Sequence, residues 1–327
     1  MIMQAFFRCV VALAMVVPSF GSAQPRADAL APAFFAWLKA HQTTGVLATG
    51  ALQADGSWQI TTHGEDISAP RELASLSKAV TAVCAQHLVL SGDIAWSDSA
   101  HDSVEGAPDV TIAELMTHQS GLGPDTTQVA MTPWLGQTAG ENGHFSAQVM
   151  ELVTARPVQH GDRGTYQYNN ENYAILGLVI EAVTEVPFFD GCKSRLDLPV
   201  GIQPSPRTSV FQPWGGLSSD VTSYLTFLHQ HFGPESALAD APFLAPHADM
   251  GGGAHYGLGM VFRRFRGSHN FWHFGALCFP NRLNVGSFAV IWEGRVSAVA
   301  LYDGCLEWEA MSALDTALSR AAYGGGP

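Results

Sequence analysis

The chain has 327 residues, of which 47% are hydrophobic and 14% charged, enough apolar material for a sizeable core and too little charge for a disordered chain. Sixteen Lys plus Arg against 29 Asp plus Glu give a formal charge of -13, which repels phosphate backbones and argues against nucleic acid as a partner. Only Lys39, Lys78 and Lys193 occur, so a lysine inside a motif carries more information here than in most chains.

In chain order, the N-terminus reads as an export signal. Arg8 supplies positive charge, Cys9 to Val17 form a short apolar run broken by Pro18, and Gly21-Ser22-Ala23 offer small residues for a signal peptidase. The run is shorter than the roughly 20 apolar residues a spanning helix needs. Residues 1–23 are therefore expected to be cleaved, leaving a mature domain over 24–327, periplasmic or secreted, with no stable membrane anchor. Residues 30–42 predict a short amphipathic helix. Thr44 to Leu52 and Ser57 to Thr62 predict a strand pair turning at Asp55-Gly56. Ser75 to Leu90 reads as a buried helix ended by Ser91-Gly92-Asp93, and Thr111 to Thr117 as a short helix stopping before Ser120-Gly121. Glu171 to Thr184 is a further helix. Leu196 to Gly216 reads as a long irregular connection. Ser219 to Phe232 reads as a helix capped by Ser219. The last third predicts strands at Tyr256 to Phe265, Asn270 to Gly275, Gly286 to Trp292 and Arg295 to Tyr302, with a turn at Glu293-Gly294 and a closing helix from Glu307 to Ala322. Gly251-Gly252-Gly253 reads as flexible punctuation. The expected fold is mixed α/β (α+β). An antiparallel sheet built from about 30–75 and 250–327 is flanked by helices, with a helical lobe over about 76–249.

Three segments carry candidate chemistry. In Ser75-Leu76-Ser77-Lys78, a serine that opens a helix has a lysine one turn on over the same face. The helix dipole favours negative charge on an attacked carbonyl oxygen. A lysine acts as a base only if burial brings its pKa well below the reference value of about 10.4. The alternative is a capping serine with a snorkelling lysine. In Tyr168-Asn169-Asn170, a phenol offers a proton relay and an Asn amide offers hydrogen bonds to a neighbouring amine or a substrate amide; the alternative is a polar loop ahead of a helix. His273-Phe274-Gly275 lies on an expected strand, where a glycine often marks close approach of a ligand or backbone; the alternative is a half-buried His among aromatics.

Together, and in this order, the three segments resemble the serine β-lactamase and penicillin-binding-protein superfamily. The branch includes class C β-lactamases, D-alanyl-D-alanine carboxypeptidases, D-aminopeptidases and related esterases, whose motifs are Ser-x-x-Lys, Tyr-x-Asn and Lys/His-x-Gly. Leu115-Met116-Thr117-His118-Gln119-Ser120-Gly121-Leu122, Gly215-Gly216-Leu217-Ser218-Ser219 and Tyr256-Gly257-Leu258-Gly259 are similar to further signatures of that family. The resemblance implies a β-lactamase/transpeptidase-like fold and a serine hydrolase working through an acyl-enzyme on an ester or amide. Ser75 would be the nucleophile, and Lys78 and Tyr168 the proton-transfer pair. Asn170, His273, Gly275 and Ala276 would line the substrate site. The backbone N–H groups of Ser75 and Ala276 would form the oxyanion hole, His118 would be structural, and His273 would stand in as a partly charged group for the usual cation. The partner is a small-molecule or peptide acyl donor, and no cofactor or metal is implied. Phe274 replaces a small hydroxylated residue, which predicts poor grip on a β-lactam carboxylate and a preference for uncharged esters or amides. A sensor acylated by β-lactams without turnover, a D-Ala-D-Ala carboxypeptidase or β-lactamase, and a binding module are the competing readings. A module would be expected to have lost Ser75 or Lys78. No Gly-x-Ser-x-Gly elbow and no His-Glu-x-x-His occurs. Of the four cysteines after residue 23, Cys278 and Cys305 are expected to pair, Cys84 to remain a buried free thiol, and Cys192 is unassigned.

Overall fold

The computed structural model describes residues 24–127, 132–136, 146–155, 163–237 and 241–324; the expected export signal lies outside them. Its centre is an eight-stranded antiparallel sheet in the order β2-β1-β11-β10-β9-β8-β7-β6. The strands are β1 (Thr44–Leu52), β2 (Trp58–His63), β6 (Ala248–Gly251), β7 (Ala254–Gly257), β8 (Met260–Phe265), β9 (Ser268–Phe279), β10 (Leu283–Trp292) and β11 (Val296–Asp303). Chain ends meet in the middle, because β1 pairs with β11 from Thr44↔Asp303 to Ala51↔Val296. Both faces of the central strands are covered, so β11 reads as a continuous apolar run whose alternate residues enter different cores. Ala298 and Ala300 face one cluster, Val299 and Leu301 the other.

The first cluster is closed by helix α1 (Leu30–Ala40) and the C-terminal helix (Trp308–Ala322). In α1 the buried Leu30, Phe34, Trp37 and Leu38 recur at helical spacing. The second cluster joins the sheet to the helical part. Helix α2 (Ser77–Ser91) is its axis, buried along most of its length and stopped by Gly92 at φ 81°, a left-handed cap that favours glycine. Around it lie α3 (Ala100–Ser103), α4 (Ile112–Met116), α5 (Ser146–Thr154), α6 (Asn170–Thr184) and α7 (Phe188–Leu196). Helix α8 (Val221–Phe232) rests on the sheet: its His229 stacks on Trp58 and sits 2.7 Å from Ser297 Oγ.

Several elements differ from the sequence reading. Ser75 does not open the α-helix; Ala74–Leu76 form one 3-10 turn ahead of α2. Ala74 has φ +49°, a left-handed conformation that costs a non-glycine residue about 1–3 kcal/mol and clusters at functional sites. Asp220, not Ser219, caps α8 by accepting from the Ser223 N–H, because Ser219 ends β5 (Leu217–Ser219), paired to Arg71 of β3 (Arg71–Glu72). That pairing, with β4 (Gln203–Pro204), makes a small three-stranded sheet inside the supposedly irregular connection. The expected strand at 256–265 is two strands, turned at Leu258-Gly259 with both residues at positive φ. Gly251-Gly252-Gly253, also at positive φ, turn the β6–β7 hairpin. Cys278 bonds to Cys305, and Cys84 bonds to Cys192, so Cys84 is not a free thiol.

Candidate active site

The 3-10 turn sets Ser75 at the junction of sheet and helical part. β9 runs directly past it: a Cβ on Gly275 would lie 2.3 Å from Ser287 Oγ, 2.8 Å from Leu73 O and 2.9 Å from Ser75 N. Only glycine allows this approach, and Ser287 Oγ donates to Leu73 O at 2.7 Å, tying β10 to the same turn. Ala276 follows on β9, opposite Gly286. From the other side the Leu258-Gly259 turn packs on α2. A Cβ on Gly259 would lie 2.5 Å from both N and Cα of Ala79, so the backbone beside Lys78 is gripped from the β7–β8 hairpin.

Lys78 is fully buried. Its Nζ donates to Asn170 Oδ1 at 2.7 Å and Trp214 O at 2.8 Å, and lies 3.1 Å from Ser75 Oγ. Burial pushes its pKa from 10.5 down to about 7, against an upward pull from the Asp125 carboxylate. A neutral amine has two N–H groups and one lone pair. With the two carbonyl oxygens taking the N–H groups, the lone pair is left for the Ser75 hydroxyl.

Tyr168 completes the contact, its hydroxyl donating to Ser75 Oγ at 2.8 Å. The residue is 38% exposed, but its hydroxyl end lies inside the site, and burial raises the phenol above its ordinary range. Lys78 Nζ sits 4.9 Å from the ring centroid. Of the two candidate bases, the lysine is therefore the one able to lose its proton near neutral pH, while the tyrosine stays a donor.

His118 underlies this arrangement. It is buried at φ +59°, accepts from the Asn169 N–H at 3.3 Å, and its ring lies 4.5 Å from that of Tyr168. Burial, then the charge of Lys78, holds its pKa well below 6.5.

Three expectations need correction. His273 does face the site, 6.2 Å from Tyr168 between ring centroids, but burial and then Lys78 lower its pKa to about 3, so it is neutral and supplies no cation. Phe274 points to the opposite face of the sheet, as strand alternation allows. Its ring stacks on Phe288 at 4.5 Å and meets Trp308 edge-on at 5.5 Å, so it neither lines the cleft nor replaces a cleft hydroxyl. Asn170 is brought to Lys78, yet its amide nitrogen is already engaged by Asp125 Oδ2 at 3.0 Å and Thr127 Oγ1 at 3.1 Å, which leaves no free donor for a substrate amide.

Sequence reasoning missed Asp125, Thr127 and the Trp214 carbonyl. Asp125 lies three residues past the Ser120-Gly121-Leu122 signature, the one local signal available. Trp214 precedes Gly215-Gly216 and contributes only a backbone atom, which no residue-type pattern reports.

A family model described as Beta-lactamase matches residues 69–202, the stretch holding Ser75, Lys78, Tyr168 and Asn170. Penicillin-binding protein 4* of Bacillus subtilis (strain 168) is 29% identical over 133 residues, which are 40% of this chain and 29% of that protein's length. Among solved structures, a D-stereospecific amidohydrolase from Streptomyces sp. aligns with TM-score 0.69 at 19% identity, covering 93% of this chain and 100% of the other. A class C β-lactamase from Rhodobacter sphaeroides aligns with TM-score 0.65 at 15% identity, covering 90% and 99%. These structures share the fold. The family match covers the stretch in which the first two motifs meet, and the fold is the one these structures share, so the chain is similar to the serine β-lactamase and penicillin-binding-protein superfamily in both respects.

Proposed function

We propose that the protein is a serine hydrolase that forms an acyl-enzyme on Ser75 with uncharged esters or amides. The observation that carries this is the convergence of Lys78 Nζ and Tyr168 OH on Ser75 Oγ, at 3.1 and 2.8 Å. Neutral Lys78 takes the Ser75 proton as Oγ attacks the carbonyl carbon, and Tyr168 and the protonated Lys78 return it to the leaving group. Water then releases the acyl group by the same route reversed. Such general acid–base help is worth about 100- to 10,000-fold. The N–H groups of Ser75 and Ala276, on the turn and on β9, are assigned to the oxyanion; one such donor is worth about 100- to 1,000-fold.

The preference for uncharged donors no longer rests on Phe274. It rests on the neutrality of His273 and on the engagement of the Asn170 amide, so that neither group supplies a charge or a free donor for a substrate carboxylate. kcat/KM for a nitrophenyl ester is expected to rise through pH about 7 as Lys78 loses its proton, and to exceed that for a chromogenic cephalosporin. Phe274→Thr should leave the ester-to-cephalosporin ratio unchanged and cost about 1–3 kcal/mol through the lost contact with Phe288 and Trp308. A flat profile between pH 5 and 8, or a cephalosporin rate at or above the ester rate, would count against this reading.

Export belongs to the same proposal. Two disulfides among the described residues suit an oxidising compartment, and no helix among those residues is long and apolar enough to cross a membrane. N-terminal sequencing of protein from its native host is expected to begin near Gln24; an intact Met1 would contradict it.

A further inference from the structure

Asn170 is held at every polar atom of its side chain. Its Oδ1 accepts from Lys78 at 2.7 Å, and its Nδ2 donates to Asp125 Oδ2 and Thr127 Oγ1. Its backbone N–H donates to the same Asp125 oxygen at 3.0 Å. The other Asp125 oxygen accepts from the Thr127 N–H at 2.9 Å and the Thr127 hydroxyl at 2.6 Å. With its proton spent on Asp125, Thr127 Oγ1 can only accept from Asn170, which fixes the direction of both bonds. Rotating the amide by half a turn would set its NH2 against Lys78 and its oxygen against a carboxylate, two repulsive contacts in place of two attractive ones. The segment carrying Asp125 is itself stitched to the start of α6. Thr126 donates to Glu171 Oε1 from both N–H and hydroxyl, and Asn169 Nδ2 donates to Leu122 O at 2.9 Å.

We propose that Asp125, with Thr127, is a positioning residue for acyl transfer: it locks the Asn170 amide with its oxygen toward Lys78, so that the lysine lone pair is presented to the Ser75 hydroxyl. The inference rests on the acyl-enzyme reading above and adds a residue that touches no reacting atom. It also explains why Asn170 serves the lysine and not the substrate. The groups facing Lys78 are Tyr168 and Tyr173, whose phenols stay protonated, the carbonyls of Asn170 and Trp214, and His118 and His273, both neutral. The charge acting on it among the described residues is Asp125.

The test is the pH profile of kcat and KM for a nitrophenyl ester in Asp125→Asn, Thr127→Val and Thr127→Ser, with melting temperatures alongside. Asp125→Asn is expected to lower kcat about 10- to 100-fold with KM within about threefold. Its acid limb should move to lower pH, because removing the carboxylate removes the upward pull on Lys78. A merely structural role predicts the opposite shift, since loosening that admits water would raise the lysine pKa. Thr127→Val should lower kcat about tenfold without moving the limb, and Thr127→Ser, which keeps the hydroxyl, should restore it. If Asp125→Asn does not fold, the Thr127 pair decides. Wild-type kcat with an unmoved limb in Asp125→Asn, or equal rates in Thr127→Val and Thr127→Ser, overturns the proposal. If Ser75→Ala is as active as the wild type, the acyl-enzyme reading itself fails; an unaltered Asp125→Asn on a Ser75-dependent enzyme defeats only the clamp.

Discussion

Lys78→Met is expected to lower kcat/KM for an ester at least ~1,000-fold and to remove a pH dependence of stability. Methionine keeps the length and apolar stem of the side chain but has no proton to exchange. In the native protein Lys78 is neutral above pH about 7, whereas in the unfolded chain it remains charged up to its ordinary 10.5. Between those values the unfolded state binds more protons, so wild-type stability rises with pH across the window. Below pH 7 both states are protonated and the full cost of burying the charge is felt, on the order of 5 kcal/mol at about 1.4 kcal/mol per pKa unit. Denaturant unfolding of both proteins from pH 6 to pH 9.5 should show the wild type gaining on the variant as pH rises. Raised tyrosine pKa values cancel in the difference. A constant difference across that range would show that Lys78 is not a buried amine with a depressed pKa, whatever its effect on rate.

The second large effect concerns the bond between Cys84 and Cys192. It fastens α2, six residues after Lys78, to α7 and closes a loop of 108 residues. In the chain-entropy account a loop of that length is worth about 4–5 kcal/mol, and native disulfides commonly contribute 2–5 kcal/mol. Replacing both residues by serine is expected to lower the melting temperature by roughly 10 °C, at about 2–4 °C per kcal/mol for a chain of this size. The Cys278–Cys305 bond spans 27 residues, so its removal should cost less. Scanning calorimetry of the two double variants orders them; a larger loss from the shorter loop would mean that native packing, not chain entropy, sets the effect.

The segments that bear the chemistry were legible because each is contiguous. Ser75 and Lys78 are one turn apart, Tyr168 and Asn170 flank one residue, and Gly275 sits in a strand whose close approach to Ser75 requires the missing Cβ. What could not be read depends on which way a side chain turns and what covers it. Strand alternation allows Phe274 either face, and only Phe288 and Trp308 decide it. Whether His273 is charged is settled by burial beside Lys78, a property of the assembled site. Asp125 looks like a loop residue until the loop is laid against the first turn of α6. The left-handed Ala74, which displaces Ser75 from the α-helix proper, carries no glycine to announce it. The pairing of Cys84 with Cys192 needs α2 and α7 side by side, which spacing alone does not supply.

The most direct measurement on the proposed chemistry is mass spectrometry of the protein after a fluorophosphonate and, separately, after a slowly released acyl donor. One adduct per chain is expected, on the peptide containing Ser75, formed with a burst of leaving group followed by steady turnover of an ester. It should be absent in Ser75→Ala, which should also lose the ester activity. An adduct on Ser77 or Ser120, or an undiminished ester rate in Ser75→Ala, would contradict the account.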